Sequence, residues 1–566
     1  MDTKPNRLSL GILMLGIVLV VVALSCSPNP STDLYWQLRT GREILQRHAA
    51  PHVDTYSWTR HGSPWIAHEW LACVVFWLVY KAGHGFAGLL VFKAILLAIT
   101  VAIFHFSITR SSGYKLVPAY LLTLCASYPL SIGFQARPQI FTYLFVTITA
   151  FAVLSLRNAG EARKRFWGLV PLYILWANLH SGVYLGVFLL FVWSVGDLID
   201  GYFGRNTVSR EEVKKQGVTL LCITAACFLG TLINPYGVLE IANLLQTVLN
   251  QNAMNAVSEW TSPTLHGAGG INFAVIAGFC VIGMIYARNR ARTADFIIVA
   301  VLLHFALYSL RNIPVFALVG VMTAAPYLFS WMTDLLPVST DSDSQSISHR
   351  SILGSNPRMA IVFIGASGFL CISIMSTSVN LMTNLDWLAR STEPVLQRVS
   401  ETNVQISSNP VQAVASLNSG LVPDSWKMYN GYGSGGFLIW ALPGHPVSID
   451  GRADVYFGEA LDDYLTLNQW PYNWKQIVAK QNPDFVLTAP NQRQARLYMS
   501  SADWALVYVD TPDLDNPFWT MGGYNAMIFV RRSDVSKAKL AVMRQRCPAV
   551  LSKDFLTVYK WYPAVR

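Results

Sequence analysis

The sequence predicts an α-helical polytopic membrane protein of about eleven spans with a small α/β domain at its C-terminal end. Three observations lead there. Of 566 residues, 53% are hydrophobic and only 13% charged, and the apolar residues come in long blocks rather than at amphipathic spacing. Lys and Arg cluster in the short stretches between those blocks, where they set topology; the net charge of +10 is therefore not a nucleic-acid footprint, and no nucleic-acid partner is expected. After Asn380 the composition turns globular.

Taken in order, the first block, 8–26, follows Lys4 and Arg7 and ends at Cys26. Ala23-Leu24-Ser25 fits a lipoprotein cleavage site poorly, so the block reads as an uncleaved first span. The stretch 70–80 is apolar all round but, at about 1.5 Å per residue, covers only half of the hydrocarbon core, so it reads as interfacial. Further spans are expected over 86–108, 116–134, 139–156, 166–180, 182–203, 216–233, 271–287, 294–310, 314–333 and 359–377. With 70–80 left out, the clusters Arg110/Lys115, Arg157/Arg163/Lys164/Arg165, Arg205/Arg210/Lys214/Lys215, Arg288/Arg290/Arg292 and Arg350/Arg358 all fall inside, and the outward loop 234–270 holds no Lys or Arg. The N-terminus is then cytoplasmic and the tail outside. Residues 1–333 form a transmembrane module whose first outward loop is 27–85; 334–357, rich in Ser and Asp, is a cytoplasmic linker; 358–378 is the last span. The tail, 379–566, carries strand-like runs (WKMYN, FLIWAL, PVSID, DFVLT, NAMIFV) and helical stretches at 459–468 and 473–481. Its GYGSGG, 431–436, satisfies a dinucleotide-binding pattern but reads as a glycine turn. The eight cysteines show neither a disulfide framework nor metal spacing.

The outward loops hold the polar chemistry. Residues 33–47 place Leu34, Leu38 and Leu45 on one face of a surface helix, and His68-Glu69 open a second helix over 68–82. Asp33, Asp54 and Glu69 are the candidate catalytic acids; His68, His180, Tyr236 and Glu259 are candidate substrate contacts; Arg137, Arg311 and Lys93 are candidate anion ligands. Each also has a plainer reading. Asp33 caps a helix, Glu69 complements a helix dipole, Asn234-Pro235-Tyr236-Gly237 is a turn, the arginines bind lipid head groups, and Lys93 snorkels.

The layout resembles the GT-C superfamily of membrane glycosyltransferases: a first span, a large outward loop with two interfacial helices and an acid, many further spans, and an extracytoplasmic tail. The segments DLYWQLRTG, PHVDTYSWT, HEWL, ARPQ, WANLHSG, NPYG, SEW and SIDGRADVY look like those of a bacterial subgroup of that superfamily. The paired acids of many members are here a single Asp33.

The resemblance implies a bacterial inner-membrane enzyme that moves a sugar from a polyprenyl-phosphate donor to an extracytoplasmic glycan, lipid or protein, with inversion. Asp33 would be the general base, while Arg137, Arg311 and Lys93 would hold the phosphate. No cofactor is required, and a divalent metal is left open. The rivals are a transporter or flippase of lipid-linked or glycan substrates and a membrane-anchored binding protein. A transporter usually places ionisable groups at the bilayer midplane, whereas here they crowd the outer loops.

Overall fold

The computed structural model describes residues 31–113, 116–133, 135–156, 165–203, 210–250, 258–335, 409–469, 471–490, 492–510 and 526–566. The chain forms two compact units, one from the described parts of Leu90–Gly237 and Val257–Thr392, the other from those of Pro28–Leu89, Val238–Ala256 and Glu393–Arg566.

The first unit is a helical bundle. Among the described residues five helices are long and apolar enough to cross a membrane: Phe86–Ser111, Val183–Phe203, Arg210–Thr231, Gly269–Tyr286 and Leu310–Met332. The helix Phe86–Ser111 shows why they suit lipid. Val91, Ile95 and Ile99, one turn apart, are 52%, 52% and 44% exposed, while Leu97, Val101, Phe104 and Ile108 are buried. An apolar row facing outward from a packed bundle is covered by hydrocarbon. Apolar helices over Pro118–Ser127, Gln139–Ser155 and Thr293–Tyr308 are shorter, and the expected span 166–180 becomes a helix over Leu169–Leu179. Asp200 ties Val183–Phe203 to the start of Thr293–Tyr308 by accepting from the Thr293 amide (3.0 Å) and hydroxyl (2.5 Å).

The second unit gathers three stretches of chain. Helices α1 (Asp33–Arg47) and α2 (Trp70–Ala82) are the two helices expected of the first loop. They cross so closely at Gly41 that a Cβ there would overlap the Cys73 carbonyl. A third helix, α3 (Val238–Leu249), stands where the sequence reads as loop. The tail contributes α4 (Tyr432–Ala441) and a four-stranded sheet of β1 (Met428–Asn430), β2 (Phe485–Thr488), β3 (Trp504–Val509) and β4 (Met527–Arg531) in the order β1-β2-β4-β3. The β1/β2 pair is parallel and the other two are antiparallel. The first-loop connector joins the tail through main-chain bonds Trp58 N to Val447 O and Val447 N to Tyr56 O, both 3.0 Å.

Strands β1, β2 and β4 fall on the runs WKMYN, DFVLT and NAMIFV, and the helices Glu459–Asn468 and Trp474–Gln481 on the helical stretches read at 459–468 and 473–481. Two expected strands are corrected. FLIWAL lies largely within α4, and PVSID forms only a single bridge, Ser57 to Val447. A short apolar run does not by itself distinguish a strand from a buried helix, and here GYGSGG opens α4 instead of making a turn. A Cβ at Gly435 would overlap the Ile449 carbonyl and one at Gly436 the Thr32 carbonyl, so these glycines serve close helix packing. The expected spans 8–26 and 359–377 and most of the linker 334–357 lie outside the described residues.

Candidate functional site

In the second unit, Asp33 is the first residue of α1, and its carboxylate accepts from the Trp36 indole at 3.4 Å. Glu69 stands just before α2 with its side chain turned inward, where it accepts from Gln37 Nε2 at 2.7 Å and lies 3.8 Å from His68 Nε2. Burial pushes the Glu69 carboxyl above its ordinary range; His68 and Gln37 pull it back, and the negative charges of Asp33 and Asp454 push it further. Asp33, His68 and Glu69 thus belong to one acidic cluster.

Asp54 belongs to a different arrangement. It is fully buried, takes the amides of Tyr56 and Ser57 and the Ser57 hydroxyl, and forms an ion pair with Arg452 at 2.8 Å. Arg452 also binds Asp450 through two nitrogens, 2.8 and 2.6 Å, and lies over the Tyr56 and Trp65 rings. Burial opposes its charge, but Asp450, Tyr456 and Asp54 outweigh that, and the guanidinium stays charged. Neither Asp450 nor Arg452 stands out as a site in the sequence, although SIDGRADVY carries three charges within nine residues.

Helix α3 supplies an acid that sequence reasoning passes over. Glu240 is 1% exposed, and both carboxyl oxygens lack a hydrogen-bond partner. Burial raises it to about 7 against the pull of His68. One turn on, Asn243 donates to Asp454 at 3.2 Å. The signal was present: Glu240 is the single acid in the run VLEIANLLQTVL.

The first unit holds the cations. Arg137 Nη1 donates to Glu259, which sits on the 3₁₀ turn Ser258–Trp260. Arg311, on the turn Leu310–Asn312, donates through Nε and Nη2 to the Gln139 side-chain oxygen at 2.8 and 2.5 Å, and its Nη2 lies 3.4 Å from His180 Nε2. The Gly182 amide donates to His180 Nδ1 at 2.9 Å. The Thr142 hydroxyl lies at the same nitrogen, also at 2.9 Å, so His180 is held from the Nδ1 side while its Nε2 faces Arg311. Arg137, Arg311 and Glu259 all lie within electrostatic reach of Tyr143.

Lys93 is 3% exposed, buried rather than snorkelling. Tyr236 sits in a turn closed by Asn234, whose side-chain oxygen accepts from the amides of Tyr236 and Gly237 at 2.7 and 2.8 Å. Among the described residues no group of three His, Cys, Asp or Glu side chains is placed to hold a metal ion.

No protein-family model matches the chain, and no curated protein matches its sequence. Its fold is similar to solved structures. The archaeal oligosaccharyltransferase AglB from Archaeoglobus fulgidus, in complex with an inhibitory peptide and a dolichol-phosphate, superposes with a TM-score of 0.53 at 10% identity, covering 93% of this chain and 75% of the other. The Archaeoglobus fulgidus oligosaccharyltransferase tethered to an acceptor peptide gives 0.50 at 11% identity, with 84% and 69% covered. The likeness is one of fold, and the five long apolar helices among the described residues suit a multi-pass membrane protein.

Proposed function

On the premise of that fold, we propose that the protein is a membrane glycosyltransferase that moves a sugar from a polyprenyl-phosphate donor to an extracytoplasmic acceptor hydroxyl with inversion. The observation that carries the reading is the likeness to an oligosaccharyltransferase captured with a dolichol-phosphate. The chemistry of the side chains supports it.

In the proposed reaction the acceptor oxygen attacks the anomeric carbon from the face opposite the leaving phosphate. The new C–O bond forms as the bond to phosphate oxygen breaks, and the acceptor proton passes to a carboxylate. We assign that base to Asp33, which heads α1 and is half-buried. Asp54 is taken out of the catalytic role, because its oxygens are engaged by Arg452, Ser57 and the Tyr56 amide. Glu69 is its buried neighbour, held by Gln37 and His68, with a carboxyl that burial raises above its ordinary range. The donor phosphate is assigned to Arg311, which His180 adjoins, since a guanidinium stabilises charge on phosphate oxygen. Arg137 is held by Glu259 and serves as a second cation once that pair opens. Lys93 remains a third candidate. His68, Tyr236 and Glu259 are assigned to substrate contacts.

Incubating the purified protein with radiolabelled polyprenyl-phosphate sugars and an envelope extract tests the reading. Label should move into acceptor with the opposite anomeric configuration. Absence of transfer with every donor of a broad panel overturns it.

A further inference from the structure

The loop Asp450-Gly451-Arg452 is tied down more firmly than a connector needs to be. Arg452 is clamped by Asp450 and Asp54, and the Tyr456 hydroxyl donates to Asp450 at 2.5 Å. The Tyr432 hydroxyl donates to the Gly451 carbonyl at 3.1 Å. What this frame holds in place is the bare Cα of Gly451, which abuts Asp33. A Cβ built there would overlap Asp33 Oδ1, with Asp33 Cγ next at 3.2 Å and Trp36 Nε1 at 3.7 Å. Gly451 is not among the residues with positive φ, so its backbone does not require glycine. Space beside the carboxylate does.

We propose that Gly451, fixed by the Asp450–Arg452–Asp54 clamp, is a positioning residue for Asp33: the tail sets where the carboxylate stands. The inference rests on the assignment of Asp33 as the base. Its physical basis is that the Asp33 oxygen a Cβ at Gly451 would overlap, Oδ1, is the same one that accepts from the Trp36 indole, so the space left by the missing side chain decides where that oxygen stands.

Gly451→Ala isolates the effect. The methyl meets chiefly the end of a side chain that can swing, so the fold should survive while the carboxylate moves. A misplacement of about 1 Å is typically worth on the order of 100-fold in rate, so kcat should fall by roughly that factor with donor KM within about twofold. The melting temperature should change little. Gly444→Ala, where a Cβ meets nothing within 4 Å, is the control and should leave kcat as in the wild type. Carbodiimide coupling followed by peptide mass spectrometry gives a readout free of activity: the labelling of Asp33 relative to Glu43 should differ between Gly451→Ala and wild type. Unchanged kcat together with an unchanged Asp33/Glu43 ratio overturns the proposal. If the wild-type chain transfers no sugar, the glycosyltransferase reading falls and the labelling ratio alone decides whether Gly451 positions Asp33, an unchanged ratio again overturning it.

Discussion

In the proposed reaction the carboxylates of the first loop separate into one assigned to react, Asp33, and one that holds, Asp54. Asp33→Asn keeps the shape of the side chain and an acceptor for the Trp36 indole but removes basicity, so folding should be retained while turnover is lost; a melting curve beside a transfer assay checks this. Arg452→Ala should act in the opposite way. It leaves Asp54 and Asp450 buried without their cation, which typically costs about 3–5 kcal/mol, and the melting temperature should fall well below wild type. For the anion, Arg311→Ala should raise the donor KM about tenfold or more, the worth of a charge-assisted hydrogen bond, and Arg311→Lys should recover only part of it. Donor kinetics that match wild type in both variants would remove Arg311 from the site. Asp33 stands out as a candidate in the sequence because an acid soon after a long apolar block is uncommon. The Arg452 clamp does not, because Asp54 is distant along the chain and an ion pair between remote residues leaves no local pattern.

Helices α1 and α2 could be read from the sequence almost to their ends, since an apolar face with flanking aromatics and arginines marks an interfacial helix. Helix α3 could not, because its polarity is inverted. Val238, Leu239, Leu245, Val248 and Leu249 are exposed, whereas Glu240 is buried. FLIWAL was misread for a related reason: strand propensity in Phe, Ile and Trp is overridden once Gly435 and Gly436 let a helix pack against main chain. The buried acid gives α3 a pH signature. The Glu240 pKa is raised in the folded chain, so the stability it contributes is fully present below about pH 4.5 and is lost as pH rises through about 7. Ionising the group in place costs on the order of 3 kcal/mol. Glu240→Gln should therefore melt close to wild type at pH 5 and above it at pH 8. Parallel melting curves at the two pH values would expose a neutral or reversed difference.

Across the whole molecule the Lys/Arg distribution leads to the proposed topology, with the Arg288–Arg292 cluster inside and the first loop outside. An impermeant thiol reagent on intact cells should label His61→Cys above the parent background and leave Arg290→Cys at that background. Labelling of Arg290→Cys would invert the threading. The membrane architecture was legible because hydrocarbon imposes long apolar blocks on any chain that crosses it. The membership of the second unit was not, because main-chain bonds such as Trp58 to Val447 depend on tertiary meeting, not on periodicity.

That membership has a consequence for biogenesis. Arg60 donates to the carbonyl of Phe457, a residue 397 positions later. At synthesis rates of about 5–20 residues per second the ribosome needs roughly 20–80 s to reach it. Until then Asp54 has no arginine to neutralise it and Tyr35 has no Asn409 to donate to it. A chain that stalls before its tail is made therefore holds the first loop's buried acid without its cation.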